Sequence, residues 1–348
     1  MSKLINVVSG KGGTGKTLMT VVLADILSLQ GAKVLVVDMD IFVCGVTTMF
    51  FYENLEAMRL TKEDNLSVSD YFLKRKEYQH SAAPMPKPAI LHYPSRSFDI
   101  IPSLKRINQE YRPDSDLLPN DAEDAEALIK FLMRTLPVND YDYIFFDNRA
   151  GYDPLVEAVH SRCDFSLCVE EDDDISLITS DRLIYLLDSS KPVYRIRNKV
   201  RSDSPKETLR MGLDFLGAID FEFNVFNTFG TARFWSSMAQ TGYRRAVCVV
   251  WNCLAKKEEL EHKIELSNDP APKKRSSLSV LDRGFALSGF LLAILGLFSM
   301  FFTAFLSTRK PDYMQLSVIL MTILLGIFMM ILSVVNIPRL LKNFRRED

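Results

Sequence analysis

Eight consecutive residues carry the most chemically pointed pattern in this chain: Gly10-Lys11-Gly12-Gly13-Thr14-Gly15-Lys16-Thr17. Closely spaced glycines let a backbone wrap an anion so that successive N–H groups point at it. A following lysine and hydroxyl residue then supply a cation for phosphate oxygens and an oxygen ligand for a metal. This is the phosphate-binding P-loop pattern. It predicts that Gly10, Gly12, Gly13, Thr14, Gly15, Lys16 and Thr17 cradle nucleotide phosphates, with Lys16 reaching the β- and γ-phosphates and Thr17 binding Mg2+. Carboxylates close two apolar runs, Asp38 and Asp40 after residues 34–37 and Asp147 after residues 143–146. Further on, Asn198 follows the strand-like residues 193–197, and its amide can both donate to and accept from a ligand edge.

A P-loop needs a strand before it and a helix after it. Residues 4–9 read as a short buried strand, residues 16–30 as a helix and residues 33–37 as a second strand, which makes a βαβ unit. Between residues 49 and 119 the pattern loosens into helical pieces, a proline-bearing stretch at 84–88 and a strand-like segment at 98–102; this is the variable part of the domain. Alternation then resumes, with a helix at 121–135, a strand at 143–146, a helix after Asp153 and a strand at 165–169. A helix at 176–187 follows, then strands near 193–197 and 216–221 and a final helix at 232–260. Strands separated by helices predict an α/β fold, a mostly parallel sheet covered by helices on both faces. Residues 1–265 are read as this P-loop domain. Residues 266–283, rich in proline and charge, are read as a linker.

Composition narrows the function classes. A formal net charge of -2 offers no global attraction to nucleic acid, so no direct nucleic-acid binding is expected. Five scattered cysteines, Cys44, Cys163, Cys168, Cys248 and Cys253, form no C-x-x-C pair; they fit a reducing cytosol and argue against zinc or an iron–sulfur cluster. The first residues show no basic leader or cleavage site, and no signal peptide is expected.

Lys11, immediately after the first glycine, makes the loop the deviant form K-G-G-x-G-K-[ST]. With the strand of Asp38 and Asp40, and with Asp147-Asn148-Arg149-Ala150-Gly151, the chain resembles the MinD/ParA family of ATPases in order over residues 1–260. That resemblance implies slow, switch-type ATP hydrolysis in a homodimer closed through the ATP site, Lys11 reaching the partner's phosphates. It implies that Asp40 orients the attacking water, that Asp38 supports the switch and the metal shell, that Asp147 holds Mg2+ through water and that Asn198 contacts adenine. ATP and Mg2+ are the implied cofactors. Arg149 departs from the smaller residues expected there and reads as a surface pair before a γ-phosphate sensor. The acidic run from Glu170 to Asp174 reads as a solvated helix start, with docking of a basic partner as the other reading.

Two uncharged apolar stretches, residues 285–306 and 314–335, are each long enough to span a hydrocarbon core. They predict a transmembrane hairpin over 284–336, followed by a basic tail at 337–348. Lys273, Lys274, Arg275 and Arg283 precede the first span, and Arg339, Lys342, Arg345 and Arg346 follow the second. By the positive-inside rule the ATPase domain and both termini face the cytoplasm of a bacterial-type inner membrane. Neither span carries an ionisable side chain, which argues against transport through the hairpin alone. The function expected is a membrane-anchored ATP-dependent dimerisation switch that recruits or regulates an unknown protein partner at the lipid bilayer. The other class weighed is a non-hydrolysing nucleotide-binding subunit of a membrane complex in secretion, envelope or defence. Span position disfavours a polysaccharide-export tyrosine kinase, and a double anchor disfavours DNA segregation and soluble targeting carriers.

Overall fold

Apolar runs interleaved with helices give a sheet whose two faces are both buried. The structure, a computed structural model, describes residues 2–53, 65–79, 86–93, 96–105, 118–119, 121–201, 214–231, 233–239 and 241–264, with backbone alone at 52–53 and 75–79. All of these lie in the first of two units into which the chain divides, Met1–Asp269. The strands are β1 (Lys3–Val8), β2 (Val34–Asp38), β3 (Leu91–His92), β4 (Asp99–Ile101), β5 (Tyr143–Asp147), β6 (Phe165–Glu171), β7 (Val193–Val200) and β8 (Phe215–Asp220). The helices are α1 (Lys16–Leu29), α2 (Gly45–Glu53), α3 (Val68–Gln79), α4 (Ala122–Thr135), α5 (Pro154–Arg162), α6 (Asp174–Leu186), α7 (Phe223–Thr228), α8 (Phe234–Met238) and α9 (Gly242–Lys257).

The strands form one 8-stranded sheet in the order β3-β4-β2-β5-β1-β6-β7-β8. Every pairing is parallel except that of β3 with β4. Strand period shows how both faces are covered. In β2, Val34 and Val36 enter a core shared with α1 and α9, while Leu35 and Val37 enter a second core shared with α3, α4 and α5. Tyr143 and Phe145 against Ile144 and Phe146 repeat the division in β5. The expected α/β architecture is the one observed.

Three boundaries differ from the sequence reading, each for a local reason. The single helix expected at 232–260 is two helices, α8 and α9. Gly230 takes a left-handed φ of 75° after α7, and Thr241, in extended conformation, restarts the chain into α9 at Gly242. The short strand β3 was not anticipated; two residues pairing antiparallel with β4 are too few for alternation to register. Strand β7 runs on to Val200, so Asn198 lies within a strand and not after it.

Residues beyond α9 are strapped to that helix. The Asn252 amide donates to Ile264 O and accepts from Ile264 N, each at 2.8 Å, and Trp251 Nε1 donates to His262 O at 2.8 Å. Among the described residues no helix is long and apolar enough to cross a membrane. The two spans expected at 285–306 and 314–335, with the linker and basic tail, lie outside the described residues.

Candidate functional site

Strand order puts the C-terminal ends of β2, β5 and β1 side by side, and the sequence-predicted residues hang from those ends. Register pairs Asp38 with Asp147 across β2 and β5, and Val7 with Asp147 across β1 and β5. The glycine loop leaves β1 and feeds α1, whose N-cap Gly15 holds a φ of 87°. A β-carbon at Gly15 would lie 2.4 Å from Asn198 Nδ2, and one at Gly10 would lie 2.4 Å from the backbone carbon of Thr179. Glycine is required at both positions, by close approach at each and by backbone sign at Gly15. At Gly12 and Gly13 a β-carbon would meet nothing within 4 Å, so that side of the loop is open.

Lys16 and Thr17 converge on Asp147. Lys16 Nζ lies 3.2 Å from Asp147 Oδ1, and Thr17 Oγ1 donates to Asp147 Oδ2 at 2.7 Å. Thr20, one turn along α1 and unremarked in the sequence, also donates to Asp147 Oδ1 at 3.2 Å. The next residue, Asn148, is buried and donates its amide to Asn6 on β1, which pins the start of the loop that follows.

Asp38 and Asp40 diverge, because β2 ends at Asp38. Asp38 is fully buried and accepts from Thr47 N at 2.8 Å and Thr47 Oγ1 at 2.7 Å. Burial, with the Asp147 charge adding to it, pushes the Asp38 carboxyl from 3.8 up to about 7. Asp40 instead turns outward and accepts from Phe42 N at 3.2 Å and Val43 N at 3.0 Å. Thr47, in the first turn of α2, is the group that sequence reasoning missed here. A hydroxyl nine residues after a carboxylate leaves no local signal.

Lys11 lies on the outer rim of the loop. Its Nζ sits 2.7 Å from Asp173 Oδ2 and 2.7 Å from Glu171 Oε2. The hydrogen bonds that it donates to Asp173 and then to Glu171 raise its pKa above the ordinary lysine value. The acidic run is therefore not a solvated helix start. Glu170 and Glu171 belong to β6, and strand alternation sorts the acids onto two sides. Glu170 is fully buried beneath Arg195 and Arg197 of β7, at 2.8 and 3.3 Å, while Glu171 and Asp173 face Lys11. Only the end of the run keeps the expected role: the Asp173 side chain caps α6 by accepting from Ser176 N at 2.9 Å.

Asn198 is fully buried, and its Nδ2 donates to Thr14 O at 2.8 Å; the structure places it beneath the loop as a brace. Lys199 beside it donates to Gly13 O and lies 2.6 Å from Glu171 Oε1. Arg149 pairs with Asp153 at 3.4 Å and lies 5.2 Å over the Phe42 ring, joining the loop after Asp147 to the loop after Asp40.

A triphosphate and Mg2+ fit what is present. The loop's Thr14 Oγ1 is buried with no hydrogen-bond partner, Lys16 is in place, and the groups around Thr17 are hydroxyl and carboxylate oxygens, the ligands Mg2+ prefers. No group of three or more His, Cys, Asp or Glu able to hold a metal occurs among the described residues.

Residues 1–75 match a family described as ParA, NUBPL iron-transfer P-loop NTPase. The septum site-determining protein MinD of Helicobacter pylori is 26% identical over 195 residues, 54% of this chain and 60% of that protein. The match thus spans less than two thirds of the curated relative's length. Among solved structures, MinD of Pyrococcus horikoshii complexed with Mg-ADP aligns with TM-score 0.55 at 20% identity, over 76% of this chain and 100% of that one. The MinC:MinD cell division complex of Aquifex aeolicus aligns with TM-score 0.52 at 20% identity, over 77% and 99%. A plasmid partition protein of Borrelia burgdorferi bound to AMPPNP aligns with TM-score 0.52 at 20% identity, over 74% and 100%. The chain has a MinD/ParA-like P-loop fold.

Proposed function

We propose that this chain is a magnesium-dependent ATPase that works as a nucleotide switch at a membrane. ATP draws two copies together through their P-loops, hydrolysis releases them, and the change of state alters what a protein partner meets at the bilayer. The observation carrying this reading is the convergence of Lys16 and Thr17 on Asp147 beneath a loop whose open side bears a second lysine, Lys11. Solved relatives that hold Mg-ADP or AMPPNP support the ligand, and the MinC:MinD complex supports a protein partner.

Each residue has a role that follows from its place. Loop N–H groups and Lys16 hold the phosphates; Thr17 and Asp147, with Asp38 behind them, hold Mg2+. Bound magnesium supplies positive charge to the phosphoryl oxygens as it transfers. Asp40, on its outward turn, orients the attacking water. Lys11 of a second copy adds charge from across the interface, where it stabilises the transferred group. Exposed apolar side chains on the bordering elements, Phe42 at 40%, Val43 at 72%, Ile175 at 69% and Ile178 at 67%, supply area that a second copy covers. The hairpin at 285–306 and 314–335 anchors the chain with its ATPase domain on the cytoplasmic side, in the inner membrane of a bacterial-type cell.

Full-length protein is expected to assemble with ATP and Mg2+ in light scattering or sedimentation, and Lys11→Ala to bind ATP without assembling. Phosphate release is expected to fall by about 10²-fold or more in Asp40→Ala. Wild-type protein that neither binds ATP nor changes assembly with it defeats the reading. Assembly with no phosphate release selects the non-hydrolysing membrane subunit instead.

A further inference from the structure

Glu171 is shared by two lysines that both act on the P-loop. Lys11, a loop residue, meets Oε2 at 2.7 Å. Lys199 meets Oε1 at 2.6 Å and donates to the loop carbonyl of Gly13. Lys11, Glu171, Lys199 and the loop backbone thus close a ring, and Asp173 meets Lys11 as a second carboxylate at 2.7 Å. The placement is built in. Glu171 and Asn198 are register partners on β6 and β7, and Lys199 takes a left-handed φ of 58°, a conformation that a non-glycine residue adopts at a cost. The lysine is also 5.1 Å from the Phe226 ring, which steadies its ammonium.

We infer that Glu171 and Lys199 are positioning residues for Lys11: they hold it against its own loop while keeping that hold easy to break. This rests on the dimer reading for its consequence, because Lys11 must leave Glu171 and Asp173 to reach a second copy. Without Lys199, its departure strands two carboxylates near each other, and like charges at that range oppose the change. With Lys199 in place, Glu171 keeps a cation, and only Asp173 is left without one. Lys199 also keeps Gly13 O occupied, so the loop backbone stays put while the Lys11 side chain moves.

Two substitutions therefore act in opposite directions. In Lys199→Met, Glu171 belongs to Lys11 alone and the cis hold tightens. In Glu171→Gln the hold loosens. Full-length protein treated with an amine-reactive reagent, with Lys11 modification read by mass spectrometry in the absence of nucleotide, tests the positioning independently of assembly. Lys11 is expected to be labelled several-fold faster in Glu171→Gln and several-fold slower in Lys199→Met. Lys199→Arg is expected to restore the wild-type rate. Assembly with a non-hydrolysable ATP analogue is expected to need roughly tenfold more protein in Lys199→Met and less in Glu171→Gln, with the double variant resembling Glu171→Gln. Equal labelling in all variants, or a change of the same sign in both single variants, overturns the inference. Opposite labelling shifts in a protein that shows no ATP-dependent assembly uphold the positioning and defeat the dimer reading alone.

Discussion

At the scale of single residues, the site is governed by close approach and by burial. Gly10 packs against the first turns of α6 so tightly that a β-carbon would lie 2.4 Å from Thr179 C and 2.5 Å from Ser180 N. Backbone atoms cannot swing aside, so Gly10→Ala is expected to lose about 1–3 kcal/mol of unfolding free energy by urea denaturation, with weaker nucleotide binding. Gly12→Ala, where nothing lies within 4 Å, is expected to cost under about 0.5 kcal/mol. Asp38 sets a pH dependence. Its carboxyl titrates at about 7 when folded against 3.8 as a free side chain. Between those values the folded domain keeps a proton that the unfolded chain has lost. Stability in metal-free buffer is therefore expected to fall as pH rises toward about 7 and then to level. Melting temperatures measured in chelator across that range check this, and Asp38→Asn is expected to flatten the slope. An equally steep slope in Asp38→Asn assigns it to other groups. The loop glycines, Lys16, Thr17 and the strand-end acids were legible in the sequence because their chemistry is local. Thr47, Thr20 and Lys199 were not, since each gains its meaning from a partner brought near by the sheet.

Among the elements, the same division between local and long-range signals recurs. Helix α4 was readable because its apolar residues recur at helical spacing and Asp121 caps it, accepting from Asp124 N at 2.8 Å. Strands β2 and β5 were readable as short apolar runs. The acidic run was misread because charge alone says solvent, whereas β7 carries Arg195 and Arg197 to meet Glu170 at a distance of 25 and 27 residues. A second buried charge ties three elements together. Asp25, 1% exposed in the middle of α1, meets Arg244 of α9 at 2.7 Å and Arg96, from the turn between β3 and β4, at 3.4 Å. Arg96 also lies 4.3 Å over the ring of Trp235 in α8. Asp25→Ala leaves two cations facing each other over an apolar core. Removal of one partner of a buried pair costs about 3–5 kcal/mol. Because the arginine side chains are 23% and 25% exposed, water relieves part of that, and a loss of about 2–3 kcal/mol is expected. As a control, Lys3→Ala breaks a pair with Asp164 whose members are 32% and 38% exposed, and is expected to cost under about 1 kcal/mol. Equal losses in the two variants would show that burial does not separate these pairs.

For the whole molecule, the useful question is where the folded nucleotide domain stops. The last described residues are integral to it: Leu260 and Ile264 are buried in the same core as α1 and α9, and the Asn252 bracket fixes Ile264 at both its N–H and its carbonyl. His262 adds a ring contact with Tyr143 of β5 at 5.5 Å. A chain cut after residue 265 thus retains every described contact of the sheet and its helices. It is expected to melt cooperatively, within a few degrees of the same domain in the full-length protein, and to bind ATP with unchanged affinity. A chain cut after residue 258 loses the buried Leu260 and Ile264 and leaves Trp251 Nε1 and the Asn252 amide without their partners. It is expected to be less stable by roughly 3–5 kcal/mol, from two large apolar side chains and the lost hydrogen bonds. Membrane fractionation of the same pair of proteins tests the hairpin: full-length chain is expected in the alkali-resistant membrane pellet, and the 265-residue form in the supernatant. If the shorter form pellets equally, attachment comes from the nucleotide domain itself. The switch would then have to act on how that domain meets the bilayer, and not on what a permanently anchored domain recruits there.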